Sequence, residues 1–210
     1  MLRTQALFVV VLAGAVAFAG AIRPAFARAQ PDLQHWVVAP IGNEARYRVR
    51  EMLFNHDFPN DAIGTAKDIT GDLYVDPSGS IGPASKIVIS VATMKSDQGR
   101  RDKIIRTQSI TTDKYPTVTI VPKSLIGLVA KPSAATVEFG LVGDLTIHGT
   151  TRPTTWKVTA HSQGPDVVGS ASTAITFADF SLDKPKAQMA LNVEDTIKLE
   201  YDFHFTRKTP

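Results

Sequence analysis

The chain has 210 residues, 43% of them hydrophobic, with a formal net charge of +3 and 0 Cys. So small a charge gives no drive toward nucleic acid, and the absence of thiols excludes disulfides, cysteine-based metal sites and thiol catalysis. The length suits one domain with its own core, once an N-terminal leader is set aside.

That leader is predicted over residues 1–27 as a secretory signal peptide. Met1 to Arg3 give a basic start, Ala6 to Ile22 form an uncharged apolar run, and Ala25 and Ala27 flank Phe26 at a cleavage position. The alternative is a retained anchor, because the run approaches the ~20 residues of a spanning helix. A leader of this kind places the mature protein in the periplasm or outside the cell. Residues 28–43, with Pro31, Pro40 and Gly42, read as a loose lead-in.

From Glu44 onward the pattern has period two, which marks strands with one buried and one wet face. Tyr47, Val49 and Leu53 share a parity in the first strand, opposite Arg46, Arg48 and Arg50. Ile69, Leu73 and Val75 follow in the second, which closes in the turn Asp76-Pro77-Ser78-Gly79. Ile87, Ile89 and Val91 share a face in the third, and Val118 and Ile120 lie in a fourth that Pro122 is expected to end. Val137, Phe139, Leu141, Leu145 and Ile147 form one face of a long fifth strand, with Gly140 and Gly143 predicting a bend or bulge. After a turn at Gly149 to Pro153 come Trp156, Val158 and Ala160, then Ala171, Ile175 and Phe177. The last strand alternates strictly through Ile197, Leu199, Tyr201, Phe203 and Phe205.

One segment breaks the rhythm. Ser96 or Asp97 is placed to cap a short helix around residues 97–107, with Ile104 and Ile105 as its buried side. The whole predicts an all-β fold, an eight-stranded antiparallel barrel with a short helical insert, against a sandwich as the other arrangement. A closed barrel of that size can hold one small ligand or be filled by its own side chains.

Two motifs carry a resemblance. Gly143 to Trp156 reads GDLTIHGTTRPTTW, and Arg100 to Arg106 reads RRDKIIR, followed by Tyr115-Pro116-Thr117. In order and spacing these resemble the YceI-like, polyisoprenoid-binding family, from about Arg46 to Phe205. The first strand and the C-terminal region depart from the family's usual wording, which marks a divergent branch. The resemblance implies a lipocalin-like barrel over residues 44–207 that sequesters or carries an isoprenoid, a quinone-like molecule or another fatty amphiphile. It implies no cofactor and no catalysis, contact with membranes that is at most transient, and room for a homodimer.

The predicted pocket lining is the inward parity set: Tyr47, Val49, Leu73, Ile89, Val91, Phe139, Leu141, Ile147, Trp156, Val158, Phe177, Leu199, Tyr201 and Phe203. The competing reading is a solid core built of the same residues, which would make this a structural barrel. Arg101, Arg106, His148 and Arg152 form a candidate polar rim for a head group. The plainer roles are turn architecture for His148 and Arg152 and a helical ion pair between Asp102 and Arg106. The row of Arg46, Arg48 and Arg50 fits either a solvated outer face or an anionic membrane surface. The remaining histidines lack metal-ligand spacing, and neither a nucleophile elbow nor a phosphate loop is present. A catalyst acting on a lipid stays as the alternative class.

Overall fold

The structure, a computed structural model, describes residues 33–53, 58–76, 78–128, 133–185 and 190–208; the predicted leader lies outside them. The strands in chain order are β1 (Gln34–Val38), β2 (Glu44–Leu53), β3 (Asn60–Ala66), β4 (Ile69–Val75), β5 (Lys86–Ser90), β6 (Lys95–Ser96), β7 (Thr117–Ile126), β8 (Val137–Ile147), β9 (Thr150–Gln163), β10 (Asp166–Thr176) and β11 (Ala190–Arg207). Between β6 and β7 lie a short helix, α1 (Gly99–Ile104), and a π-helical turn (Ile105–Ser109); a 3-10 turn (Ala178–Phe180) follows β10.

Neighbouring strands pair antiparallel throughout the described residues. β1 pairs with β4 on one side and β11 on the other, so β1, β4, β5, β7, β8, β9, β10 and β11 close into an eight-stranded ring. β11 is long enough to serve two partners along one edge. Its last residues pair with β1 from Trp36↔Arg207 to Val38↔Phe205, and its earlier residues pair with β2 from Asp202↔Glu44 back to Ala190↔Leu53. β2 and β3 thus continue the walls begun by β1 and β4. The sheet there stops at β6, which pairs with β3 at Gly64↔Ser96 and Thr65↔Lys95, and the helical insert follows directly.

The alternation read from the sequence sets the inner face. Leu145, Ile147, Trp156, Val158, Ala171, Ile175, Ile197, Tyr201, Phe203 and Phe205 are all buried, and full burial of each large apolar side chain contributes about 1.5–3 kcal/mol. The outer face is polar. Arg46 bonds the carboxylates of Glu44 (2.8 Å) and Asp202 (2.7 Å), while Arg48 and Arg50 reach Asp61 at 3.2 and 3.4 Å. The arginine row is therefore balanced by acids from its own and neighbouring strands.

Several expectations need correction. Residues 34–38 are not a loose lead-in: they supply β1, the strand that closes the ring. Five residues are too few to display a period, and Pro40 and Gly42 mark the bend into β2. No strand was expected between Leu53 and Ile69, yet β3 lies there. Its buried residues are Ala62, Gly64 and Ala66, which give little hydrophobic contrast. Gly64 is required by close approach, since a Cβ there would stand 2.0 Å from the Tyr47 ring.

Pro122 does not end the fourth predicted strand. β7 runs to Ile126 through a register shift between Pro122 and Ser124, opposite Gly143, the kind of bulge where a proline fits within a sheet. At the helical insert neither Ser96 nor Asp97 caps the first turn by a side-chain bond. Asp102 instead accepts from the Ser96 N–H (2.8 Å) and hydroxyl (2.6 Å). Arg106 donates to the Met94 carbonyl at 3.1 Å rather than pairing with Asp102.

Candidate functional site

Among the described residues the inner faces of the strands meet only in part. Two cavities remain between them, one of about 210 Å³ beside the helical insert and one of about 340 Å³ toward β1 and β4. Ile120, Trp156 and Tyr201 face both, and form a septum across the barrel. The septum is held in place by hydrogen bonds. The Trp156 indole N–H donates to the Thr154 hydroxyl (3.0 Å), and the Tyr201 hydroxyl donates to the Asn43 side-chain oxygen (3.0 Å). Asn43 also accepts from the His204 N–H (2.9 Å) and donates to the Ala39 carbonyl (2.8 Å), so the bend between β1 and β2 fixes the position of Tyr201.

The predicted lining set divides between these cavities. Tyr47, Val49, Ile89, Val91, Ile147, Phe177 and Leu199 line the near cavity, beside the insert. Leu73, Phe139, Leu141, Val158 and Phe203 line the far one, and Trp156 and Tyr201 belong to both. Exposed residues complete each lining, Gln98 and Arg100 at one end and Ser78 at the other.

Of the predicted rim, Arg101 alone lines a cavity. His148 sits instead in the two-residue turn between β8 and β9, where Ile147 pairs with Thr150. His148 and Gly149 have φ of 50° and 74°, the left-handed pair that a tight hairpin of this twist demands. The turn also docks the insert. The Thr111 hydroxyl donates to the Ile110 carbonyl (2.8 Å), so it accepts from His148 Nε2–H at 3.0 Å. The Tyr115 ring meets His148 edge-on at 4.5 Å. Arg152, exposed, donates to the Asp179 carbonyl (3.0 Å) and ties β9 to the 3-10 turn. Arg106 holds the end of β6 through Met94.

The sequence reading missed Glu51. It shares the parity of Tyr47 and Val49, is buried, and lines the near cavity. A carboxylate in an otherwise apolar parity set was the available signal, since a buried acid demands a partner. That partner is Arg101, whose guanidinium donates to Glu51 at 2.7 Å and also to Asp97. The side chains of Glu51 and Arg101 are only 8% and 12% exposed, so the pair is largely withdrawn from water. Close by, the Tyr47 hydroxyl and the Ser109 hydroxyl are buried without a hydrogen-bond partner among the described residues. Burial pushes the Tyr47 phenol well above its ordinary pKa, with nearby Asp102, Glu51 and Asp97 adding to the shift and Arg101 opposing it.

Such an arrangement defines a class: a closed antiparallel β-barrel with an apolar, divided interior and a few polar groups gathered at one end. The YceI-like domain model matches residues 36–205, and the chain belongs to that family. A UPF0312 protein of Pseudomonas putida strain F1 is 30% identical over 131 residues, spanning 59% of this chain and 65% of the relative. The chain thus matches just under two thirds of that relative's length. Protein YceI of Shigella flexneri is 27% identical over 144 residues, 65% of this chain and 72% of that protein. Among solved structures, a polyisoprenoid binding domain from Saccharophagus degradans, implicated in plant cell wall breakdown, superposes with a TM-score of 0.65 at 12% identity, covering 84% of this chain and 99% of that one. BcnA of Burkholderia cenocepacia gives 0.61 at 16% identity, covering 80% and 98%. At these identities the likeness speaks for the fold alone.

Proposed function

We propose that this protein binds a long-chain amphiphile, an isoprenoid, quinone-like or fatty molecule, inside the barrel and carries or buffers it without transforming it. The observation that carries this reading is the interior itself: two cavities walled by apolar side chains where a structural barrel would be filled. The far cavity, at about 340 Å³, reaches the lower part of the ~300–1,000 Å³ range of small-molecule sites, and the near one adds about 210 Å³ beside it. Each methylene moved out of water contributes ~0.8 kcal/mol, so a chain of about twenty carbons yields roughly 16 kcal/mol gross. Association and ordering offset much of that, yet useful affinity remains without a strong polar clamp. The family membership supports the same reading.

Binding is favoured over catalysis because the most reactive side chain of the signature motif is spent on architecture. His148 is held by Thr111 within a turn and faces neither cavity. The apolar leader read in the sequence supports a place outside the cytoplasm, with membrane contact limited to loading and release.

The test is to purify the protein under native conditions, extract it with organic solvent and weigh what is released by mass spectrometry. About one amphiphile per barrel is expected. Repeated extraction without a stoichiometric lipid, from protein purified from its own host, would overturn the proposal.

A further inference from the structure

We infer that the near cavity reads the head group of its ligand through the Tyr47 and Ser109 hydroxyls, and that it selects an uncharged hydrogen-bonding head, an alcohol, amide or quinone carbonyl, over a phosphate or diphosphate. This rests on the amphiphile-binding reading above and goes beyond it by assigning the ligand's polar chemistry and the residues that recognise it.

Two polar atoms in this cavity lack a partner among the described residues. The Tyr47 phenol comes from β2 and the Ser109 hydroxyl from the π-helical turn; both oxygens are buried, and Ser109 as a whole is 4% exposed. An unpaired buried hydroxyl costs roughly 1–3 kcal/mol, so a fold that keeps two at one end of an oily chamber gains when a ligand supplies partners. A hydroxyl can donate to a carbonyl or accept from an alcohol or amide. Leu182, Ile104 and Ile110 belong to the apolar wall of the same cavity. A tail running toward the septum would leave its head at this end, under the helical insert.

The electrostatics decide against an anion. Arg101 is already paired with two carboxylates, Glu51 and Asp97. Arg46, which also reaches this cavity, is bound by Glu44, Glu200 and Asp202. Arg100 is exposed and engaged as well. A phosphate here would therefore meet the buried Glu51 carboxylate while the guanidinium groups around it are already matched, and like charges in a poorly solvated site repel strongly. A neutral head meets neither penalty.

The experiment uses delipidated full-length protein and three probes of matched carbon number: geranylgeraniol, geranylgeranyl diphosphate and the corresponding head-free hydrocarbon, each competing against a solvatochromic dye. The alcohol is expected to bind at least tenfold tighter than the diphosphate. Tyr47→Phe, which removes the unpaired oxygen and keeps the ring, should lower alcohol affinity about tenfold relative to the hydrocarbon, and Ser109→Ala should act in the same direction. Glu51→Gln should raise diphosphate affinity by freeing Arg101 in part. Equal or tighter binding of the diphosphate by the unaltered protein overturns the inference, as does an unchanged alcohol-to-hydrocarbon ratio in both hydroxyl variants. Failure of every probe, hydrocarbon included, overturns the carrier reading as well, so the two failures are told apart.

Discussion

The two ends of this barrel are built differently. Around the far cavity, β1, β4, β8, β9, β10 and β11 are all paired in the closed ring, and Trp36, Phe139, Phe203 and Phe205 present large apolar surfaces to the interior. Around the near cavity the sheet stops at β6, small residues of β3 replace large ones, and a helical insert of two short turns forms part of the wall. Among the described residues a group of polar side chains faces the cavity where the wall is irregular: Glu51, Arg101, Tyr47 and Ser109 all lie at that end. A continuous ladder satisfies its own backbone and leaves an inert oily tube. Where the ladder breaks, side chains must complete the wall, and polar side chains bring selectivity with them.

The septum between the ends offers the strongest way to break this contrast. Trp156→Ala would merge the two cavities and remove a buried ring, at a cost of about 3 kcal/mol or more in denaturant unfolding. Lipid recovered from the variant should shift to longer chains. An unchanged chain-length distribution would show that the septum does not stop the tail. A smaller effect is expected at the latch between hairpin and insert. Gly149→Ala places a Cβ 2.7 Å from the Tyr115 ring at a φ of 74°, which should cost about 2 kcal/mol. Faster amide exchange should follow in residues 99–109 with little change around β10. Uniform loss of protection across both ends would instead make the latch a part of the whole fold. Smaller again is Tyr47→Phe: in the empty protein it removes an unsatisfied hydroxyl and should raise stability by about 1 kcal/mol, while the same change weakens binding of a polar head.

The regular end was legible in the sequence and the irregular end was not, for one physical reason. β8 and β11 alternate over many residues, so Phe139, Leu141, Tyr201 and Phe203 announce their face without any help from tertiary context. β3 cannot do so, because its buried residues Ala62, Gly64 and Ala66 are all small, and Gly64 makes room for Tyr47. β1 is too short, and Pro122 sits in a bulge that only its partner strand explains. Glu51 was readable in principle: a carboxylate on the greasy parity of β2 pointed inward. Its partner Arg101 was placed at the rim, but its role in neutralising Glu51 depends on a contact 50 residues away. The histidine of the signature motif was visible as a residue, whereas its service as a turn and docking group follows from the pairing of β8 with β9.

The smallest expected effect concerns the outer charge ladder that runs past the near cavity, and it distinguishes wall from lining. Arg46 holds the Glu44 carboxyl below its ordinary value of about 4.5, chiefly by hydrogen bonding to it. Glu200 is lowered too, first by Lys198 and more weakly by Arg48 and Arg46. A lowered folded pKa gives stability that is fully present above the unfolded value and is lost as pH falls through the folded one. Arg46→Gln should therefore be modestly less stable than the unaltered protein at pH 7. The gap should narrow as pH drops below about 4.5, where both forms take up the same protons, and also at high salt, since these groups keep some contact with solvent. Unfolding midpoints followed from pH 7 to pH 3 test this. A gap that stays constant across the range would mean that Arg46 acts by packing its stem against the near cavity, and the ladder would then belong to the lining of that end as much as to its outer wall.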